Sequence, residues 1–162
     1  MDADLVALSE AVGTPCRQRR LLLATAESCT GGWAAQVITH TAGSSEWFDR
    51  GFVTYSNEAK INLLGVTPET LQQFGAVSQE TAAKMAEGAL KNSKALISLA
   101  ITGIAGPTGG SAEKPVGTVW ISVASGGTII SEKFNFGTNR ERNIRRASLA
   151  ALNMLRNLLE TY

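Results

Sequence analysis

Leu5, Leu8 and Val12 recur at helical spacing and predict a short amphipathic helix over residues 4–12, stopped by Gly13 and Pro15. Residues 21–24 are an unbroken apolar run of strand length. They lead into a turn, Thr25–Ala26–Glu27–Ser28–Cys29–Thr30–Gly31–Gly32, and then a helix with Trp33, Ala34, Val37 and Ile38 on one face. Residues 51–55 read as a second strand and 57–64 as a short helix. Gly65 and Pro68 then precede a helical turn around Leu71. Ser78 is placed as the N-cap of a clear helix whose apolar stripe is Ala82, Met85, Ala86, Ala89 and Leu90. Residues 96–101 have the length and composition of a buried strand. Residues 119–124 and 129–136 flank Gly126–Gly127 as a hairpin. From Arg140 onward Ile144, Ala147, Ala151, Leu155 and Leu158 trace a long final helix.

This alternation of helices and strands, closed by a hairpin, predicts an α/β fold. The expectation is a single-domain, three-layer α/β/α sandwich around a mixed β-sheet. Its length of 162 residues suits one domain with a substantial core. A hydrophobic content of 44% and a charged content of 18% describe an ordinary globular chain. The net charge of +1 offers no global attraction to nucleic acid or to an anionic membrane, so any anion recognition must be local. Cys16 and Cys29 make neither a disulfide framework nor a metal site of four ligands. No basic start followed by an apolar segment marks a secretory signal, and no run approaches the ~20 residues that span a bilayer. A cytoplasmic protein is expected. Apolar faces on several helices suggest a homodimer or larger assembly.

In α/β sheets the loops at the carboxyl ends of parallel strands gather function. Three segments leave strands in this way: the Ser28 turn, residues 55–60, and the glycine-rich stretch from Thr102 to Gly117. The first puts unpaired N–H groups and the positive end of a helix beside nucleophile-capable side chains, although Ser28 or Thr30 could equally be a plain N-cap. The third holds five glycines and two prolines, which argues for a shaped loop. Serine needs a neighbour to take its proton. The single histidine, His40, lies about three helical turns beyond Ser28, so a Ser-His-Asp arrangement is disfavoured. A buried lysine of depressed pKa can act instead, and Lys60 is the best placed, with a solvated helix lysine as its plain alternative. Tyr55 is either a site residue or a core aromatic at the rim. Cys29 is a competing nucleophile if the helix end lowers its pKa. Arg140, Arg142, Arg145 and Arg146, at a helix start, suit a phosphate or form a solvated basic turn. Arg17, Arg19 and Arg20 are assigned no function.

The blocks TAESCTGG (25–32), AGSS (42–45), GFVTYSNEAK (51–60), GAVS (75–78), TGIAGPTGG (102–110) and EKPVGTVW (113–120) closely resemble the C-terminal domain family of the competence/damage-inducible protein CinA, above all its stand-alone members. The resemblance runs from about Leu21 onward, and the first twenty residues are expected to form a helix packed on the domain. It implies an amidohydrolase that converts nicotinamide mononucleotide to nicotinate mononucleotide and ammonia in pyridine nucleotide recycling, without metal or cofactor. On this basis Ser28 is the nucleophile, Lys60 its general base, and Tyr55 lies beside them. Substrate contacts are expected from Thr30, Gly31, Gly32, Ser44, Ser45, Thr102, Gly103, Arg140 and Arg145. The expected partner is therefore a small nucleotide. A non-catalytic nucleotide- or phosphate-binding module and a Cys29-dependent hydrolase are the competing readings.

Overall fold

The computed structural model describes residues 1–162. Five strands form one mixed sheet in the order β2-β1-β3-β4-β5, where β1 is Leu23–Glu27, β2 Phe48–Val53, β3 Ile97–Gly103, β4 Thr118–Ser125 and β5 Thr128–Asn135. β1 lies parallel to both β2 and β3, and β3, β4 and β5 pair antiparallel. Every residue of β1 is buried, as the middle of three parallel strands covered on both faces must be.

The alternation of side chains across the sheet builds two cores of different character. Leu23, Leu99, Ile101, Ile121 and Val123 face a large aliphatic core. It is closed by α1 (Ala3–Gln18), α2 (Trp33–His40) and α6 (Arg140–Thr161). The opposite face is floored by Ala24, Ala26, Ala100 and Ala124. There α5 (Gln79–Lys91) packs against β1, β3 and β4. α3 (Asn57–Leu64) and α4 (Pro68–Phe74) lean on α5 in turn. The three-layer α/β/α arrangement is thus the one expected from the element order. Ser78 caps α5 by accepting from the Thr81 N–H, as its position in sequence predicts. No helix is long and apolar enough to cross a membrane.

Several boundaries differ from the sequence pattern, each for a local reason. α1 does not stop at Gly13 and Pro15 but continues to Gln18. Val12 and Cys16 are fully buried in the larger core, and a Cβ at Gly13 would run into the Trp47 indole. Burial of that face overrides the helix-breaking tendency of both residues. β1 starts later and runs through Thr25, Ala26 and Glu27, which shortens the turn to Ser28–Cys29–Thr30–Gly31–Gly32. β2 begins at Phe48 and ends at Val53, leaving Tyr55 in the following loop. β3 continues through Thr102 and Gly103, which are ladder residues and not the start of the glycine loop.

α3 sits close to α5 because Gly88 has no side chain. A Cβ there would collide with the backbone carbonyl of Leu64, at the end of α3. Gly88→Ala is therefore expected to destabilise the fold by about 1–3 kcal/mol, the usual range for overpacking. Gly126→Ala, where nothing lies near the added methyl, should stay within about 0.5 kcal/mol of the parent. Urea denaturation of the two variants checks the pair.

Candidate active site

The carboxyl ends of β1, β2 and β3 open onto a cavity of about 300 Å³. It is lined by Ser28 and Cys29 from the β1 turn, Tyr55, Asn57 and Lys60 from the β2 loop and α3, and Thr102 to Gly106 with Thr108 and Gly109 after β3. Ala76, Val77 and Arg140 complete the wall.

Lys60 lies on the first turns of α3, whose N-cap Ser56 accepts from the Ala59 N–H. Its side chain points inward and is 1% exposed. Nζ lies 3.0 Å from Ser28 Oγ, 2.9 Å from the Thr54 carbonyl oxygen and 3.2 Å from that of Tyr55. Those contacts match the hydrogen-bonding capacity of either protonation state. The ammonium donates to all of them. The neutral amine keeps its N–H groups on the two carbonyls and turns its lone pair to the Ser28 hydroxyl. Burial pushes the Lys60 pKa down, and no carboxylate forms a salt bridge with it. A neighbouring thiolate at Cys29 would oppose that shift. Burial, followed by the Glu27 carboxylate, pushes the Cys29 thiol up to about 12, so it stays protonated at neutral pH. The expectation that the helix end activates Cys29 is thereby corrected: desolvation outweighs the dipole.

The Ser28 turn is held from within by a residue the sequence reading assigned no role. Glu27, 1% exposed, accepts from the Thr30 hydroxyl at 2.6 Å, the Ala34 N–H at 2.8 Å and the Ala35 N–H at 3.0 Å. Neither Ser28 nor Thr30 is the N-cap of α2. That position is Gly32, at φ 100°, and the capping oxygen comes from Glu27. Burial raises the Glu27 pKa, and these hydrogen bonds act against the rise. The N-terminus of α2 is consequently occupied by the protein's own carboxylate and is not an open anion site.

Open donors lie elsewhere. The backbone N–H groups of Cys29, Ala105, Gly106, Thr108 and Gly109 are not taken up by any acceptor in the chain. The loop that carries the last four is gripped by its carbonyls. Arg140 Nη1 donates to Gly106 O at 2.6 Å, and Asn143 Nδ2 donates to Ala105 O at 2.9 Å. Arg140 Nη2 also reaches the Tyr55 hydroxyl at 3.4 Å. With its carbonyls held by the first turn of α6, the loop keeps its amides for a ligand.

Of the residues expected at the site, Ser28, Lys60, Tyr55, Thr102, Gly103 and Arg140 do meet around this cavity. The others do not. Gly31 and Gly32 form the far side of the turn with φ of 63° and 100°, shaping the chain without lining the cavity. Thr30 is bonded to Glu27 and lines a different hollow, beside Trp33 and Ile144. Arg145 belongs to that hollow too, paired with Asp2 and with Asp4, because the five helical positions between them put it on a different face of α6 from Arg140. Ser44 and Ser45 sit in a 3-10 turn that leads into the start of β2, the opposite end of the sheet from Ser28. Thr54, Ala105, Gly106 and Asn143 were not singled out individually. The run of glycines around 103–110 is the signal that could have indicated the loop members.

Fold and site together define an α/β domain with a buried serine–lysine pair at the carboxyl ends of its parallel strands. The chain belongs to the CinA C-terminal domain family, which matches residues 5–159 and so includes most of the N-terminal helix as well. It is 53% identical over 155 residues to the nicotinamide-nucleotide amidohydrolase PncC of Escherichia coli K12, covering 95% of this chain and 94% of that protein. A CinA-like protein of Chloroherpeton thalassium is 51% identical over 156 residues, which are 94% of this chain but 37% of that longer one. Among solved structures, the competence/damage inducible protein CihA of Agrobacterium tumefaciens superposes with a TM-score of 0.96 at 45% identity, covering 99% of this chain and 98% of that one.

The burial of Lys60 carries a signature in stability. Unfolded, it titrates near 10.5; folded, it titrates lower. Between those pH values the unfolded chain holds more protons, so stability rises with pH across the window, and the penalty is complete below the folded pKa. In Lys60→Met this contribution vanishes. The unfolding free energy of Lys60→Met minus that of the parent should therefore increase as pH falls below 10.5 and then level off, as read from denaturant titrations at a series of pH values.

Proposed function

We infer that the protein is a serine amidohydrolase that converts nicotinamide mononucleotide to nicotinate mononucleotide and ammonia. The observation that carries this reading is the 3.0 Å approach of Lys60 Nζ to Ser28 Oγ in a pocket where the lysine has no carboxylate partner. The name of the Escherichia coli relative, a nicotinamide-nucleotide amidohydrolase, supports the choice of substrate.

The geometry supports the following steps. Neutral Lys60 takes the Ser28 proton as Oγ attacks the carboxamide carbon. The developing oxyanion is met by free N–H groups lining the cavity, of which Cys29 is adjacent to the nucleophile; such a donor contributes about 3–4 kcal/mol. The C–N bond breaks as the lysine ammonium returns a proton to the leaving nitrogen, giving ammonia and an ester on Ser28. Water, deprotonated by Lys60, then attacks that ester. Its collapse returns the proton to Ser28 Oγ and releases the carboxylate product. Arg140 and the amides of the Ala105–Gly106 loop are assigned to the phosphate, in place of Arg145 and the occupied N-terminus of α2. The mechanism is complete without metal or cofactor, since Lys60 carries the proton and Ser28 the acyl group. A role in pyridine nucleotide recycling, a cytoplasmic setting and a homo-oligomeric state belong to this reading.

Ammonia release from nicotinamide mononucleotide tests it. Ser28→Ala and Lys60→Ala should each lower kcat by at least about 10³-fold, while Cys29→Ala should stay within about threefold. A Ser28→Ala variant of undiminished turnover would end the serine mechanism. Arg140→Ala should act mainly on KM, raising it about 10- to 100-fold, the scale of one charge-assisted hydrogen bond to phosphate. Since the base must be neutral, kcat in the parent should climb with pH and level off below 10.5, the ordinary value of a lysine amine.

A further inference from the structure

Glu27 is the buried charged group that the steps above leave unused. It directly precedes Ser28 and is 1% exposed. No lysine, arginine or histidine forms a salt bridge with it. Burial without a counter-ion is unfavourable, yet the carboxylate is met by the Thr30 hydroxyl and the Ala34 and Ala35 N–H groups. These partners bracket the turn: one lies just past the nucleophile, the others on the first turn of the helix that follows. Oε1 takes two of the donors and Oε2 the third, so both oxygens must be acceptors. A helix cap of ordinary type would need one oxygen from a residue at the cap position. Here the cap is a glycine without a side chain, and the oxygens are supplied from the end of the strand.

The Ser28 backbone is tied at its other side as well. Its N–H donates to Ile101 O on β3 at 3.0 Å, and its carbonyl accepts from the Gly31 N–H at 3.0 Å. The rest of the turn depends on Glu27. The peptide between Cys29 and Thr30 has no hydrogen-bond partner in the chain at either its carbonyl or its N–H.

We propose that Glu27 is a positioning residue for the amidase reaction: by binding the Thr30 hydroxyl and the first free N–H groups of α2 it fixes the turn that aims Ser28 Oγ at Lys60 Nζ. Glu27 touches neither substrate nor reacting atoms in this role. The proposal rests on the serine–lysine reading and adds to it the residue that sets the geometry of the nucleophile.

Glu27→Gln is the informative change. An amide of the same shape has one acceptor oxygen, so its NH2 must confront at least one backbone N–H of Ala34 or Ala35. Thr30→Val removes the hydroxyl donor alone, and Thr30→Ser retains it. For each variant kcat and KM for nicotinamide mononucleotide are measured, with the rate at which a fluorophosphonate modifies Ser28, followed by intact-protein mass spectrometry. In Glu27→Gln kcat should fall at least tenfold while KM stays within threefold of the parent, and Ser28 modification should slow in proportion to kcat. Thr30→Val should shift the same two rates in the same direction by a smaller factor, and Thr30→Ser should restore them.

Unchanged kcat and labelling in Glu27→Gln would overturn the positioning role. So would a Thr30→Val variant, folded as judged by its melting curve, in which KM rises and kcat and labelling hold. That result would make Thr30 a substrate contact. Should Glu27→Gln not fold, the Thr30 pair decides alone. A parent that is labelled at Ser28 but releases no ammonia would overturn the amidase reading while the labelling rates still judge Glu27.

Discussion

The site depends on one amine being kept away from every acid. Lys60 is enclosed by two carbonyl oxygens and a hydroxyl, a set that can hydrogen-bond it without holding its charge. A nearby aspartate or glutamate would have raised its pKa and made it a structural ion pair. The carboxylate that does lie close to the turn, Glu27, spends its lone pairs on α2 and Thr30. The same acid helps to keep the Cys29 thiol protonated, which leaves the hydroxyl as the group able to exchange a proton with the amine. Electrostatics at this end of the sheet therefore bears on the serine, the cysteine and the lysine together.

The sheet brings these parts together through parallel pairing. Glu27 and Val53 end adjacent strands in register, so the Ser28 turn and the Thr54–Tyr55 carbonyls leave the sheet side by side. β3 adds its own end, where Ile101 accepts from the Ser28 N–H. The antiparallel pairing of β3 with β4 could be made by a tight hairpin, so the long glycine loop between them is not demanded by the topology and instead lines the cavity. α6 then reaches back across it through Arg140 and Asn143. β1, β3 and α6, which help form the large core, thus also lead into, line or steady the cavity.

Much of this could be read from the residues in order, because periodicity and composition record which faces are buried. The Leu96–Ile101 run, the hairpin around Gly126–Gly127 and the stripe from Ala82 to Leu90 all describe local environments that one segment determines. The pairing of residues 28 and 60 was also accessible, through chemistry: one histidine out of reach, and one lysine following a strand. What escaped were relations between segments. Whether Pro15 ends a helix depends on the core burying Val12 and Cys16, with the Trp47 indole against Gly13. Whether Arg145 or Arg140 faces the cavity depends on the rotation of α6, fixed by packing far down its length. Ser44 and Ser45 look like a binding loop in sequence, yet a parallel strand must be entered from the end opposite the one where its neighbour exits. Glu27 was hidden because a carboxylate inside a glycine- and threonine-rich turn looks like surface chemistry until the helix it caps is seen.

The alanine floor beneath α5 has a mechanical consequence. Ala24, Ala26, Ala100 and Ala124 meet Ala86 and Ala89 with hardly a rotatable bond among them; Met85 and Leu64 are the long side chains fully buried in the same cluster. Such a surface cannot absorb a displacement by changing rotamers, so any movement of α5 is handed on rigidly through Gly88 to the end of α3. The helix bearing Lys60 is in effect seated on an unyielding shim whose thickness sets the reach of the amine. Efforts to harden this protein by enlarging those alanines would be working, without intending to, on the alignment of its chemistry.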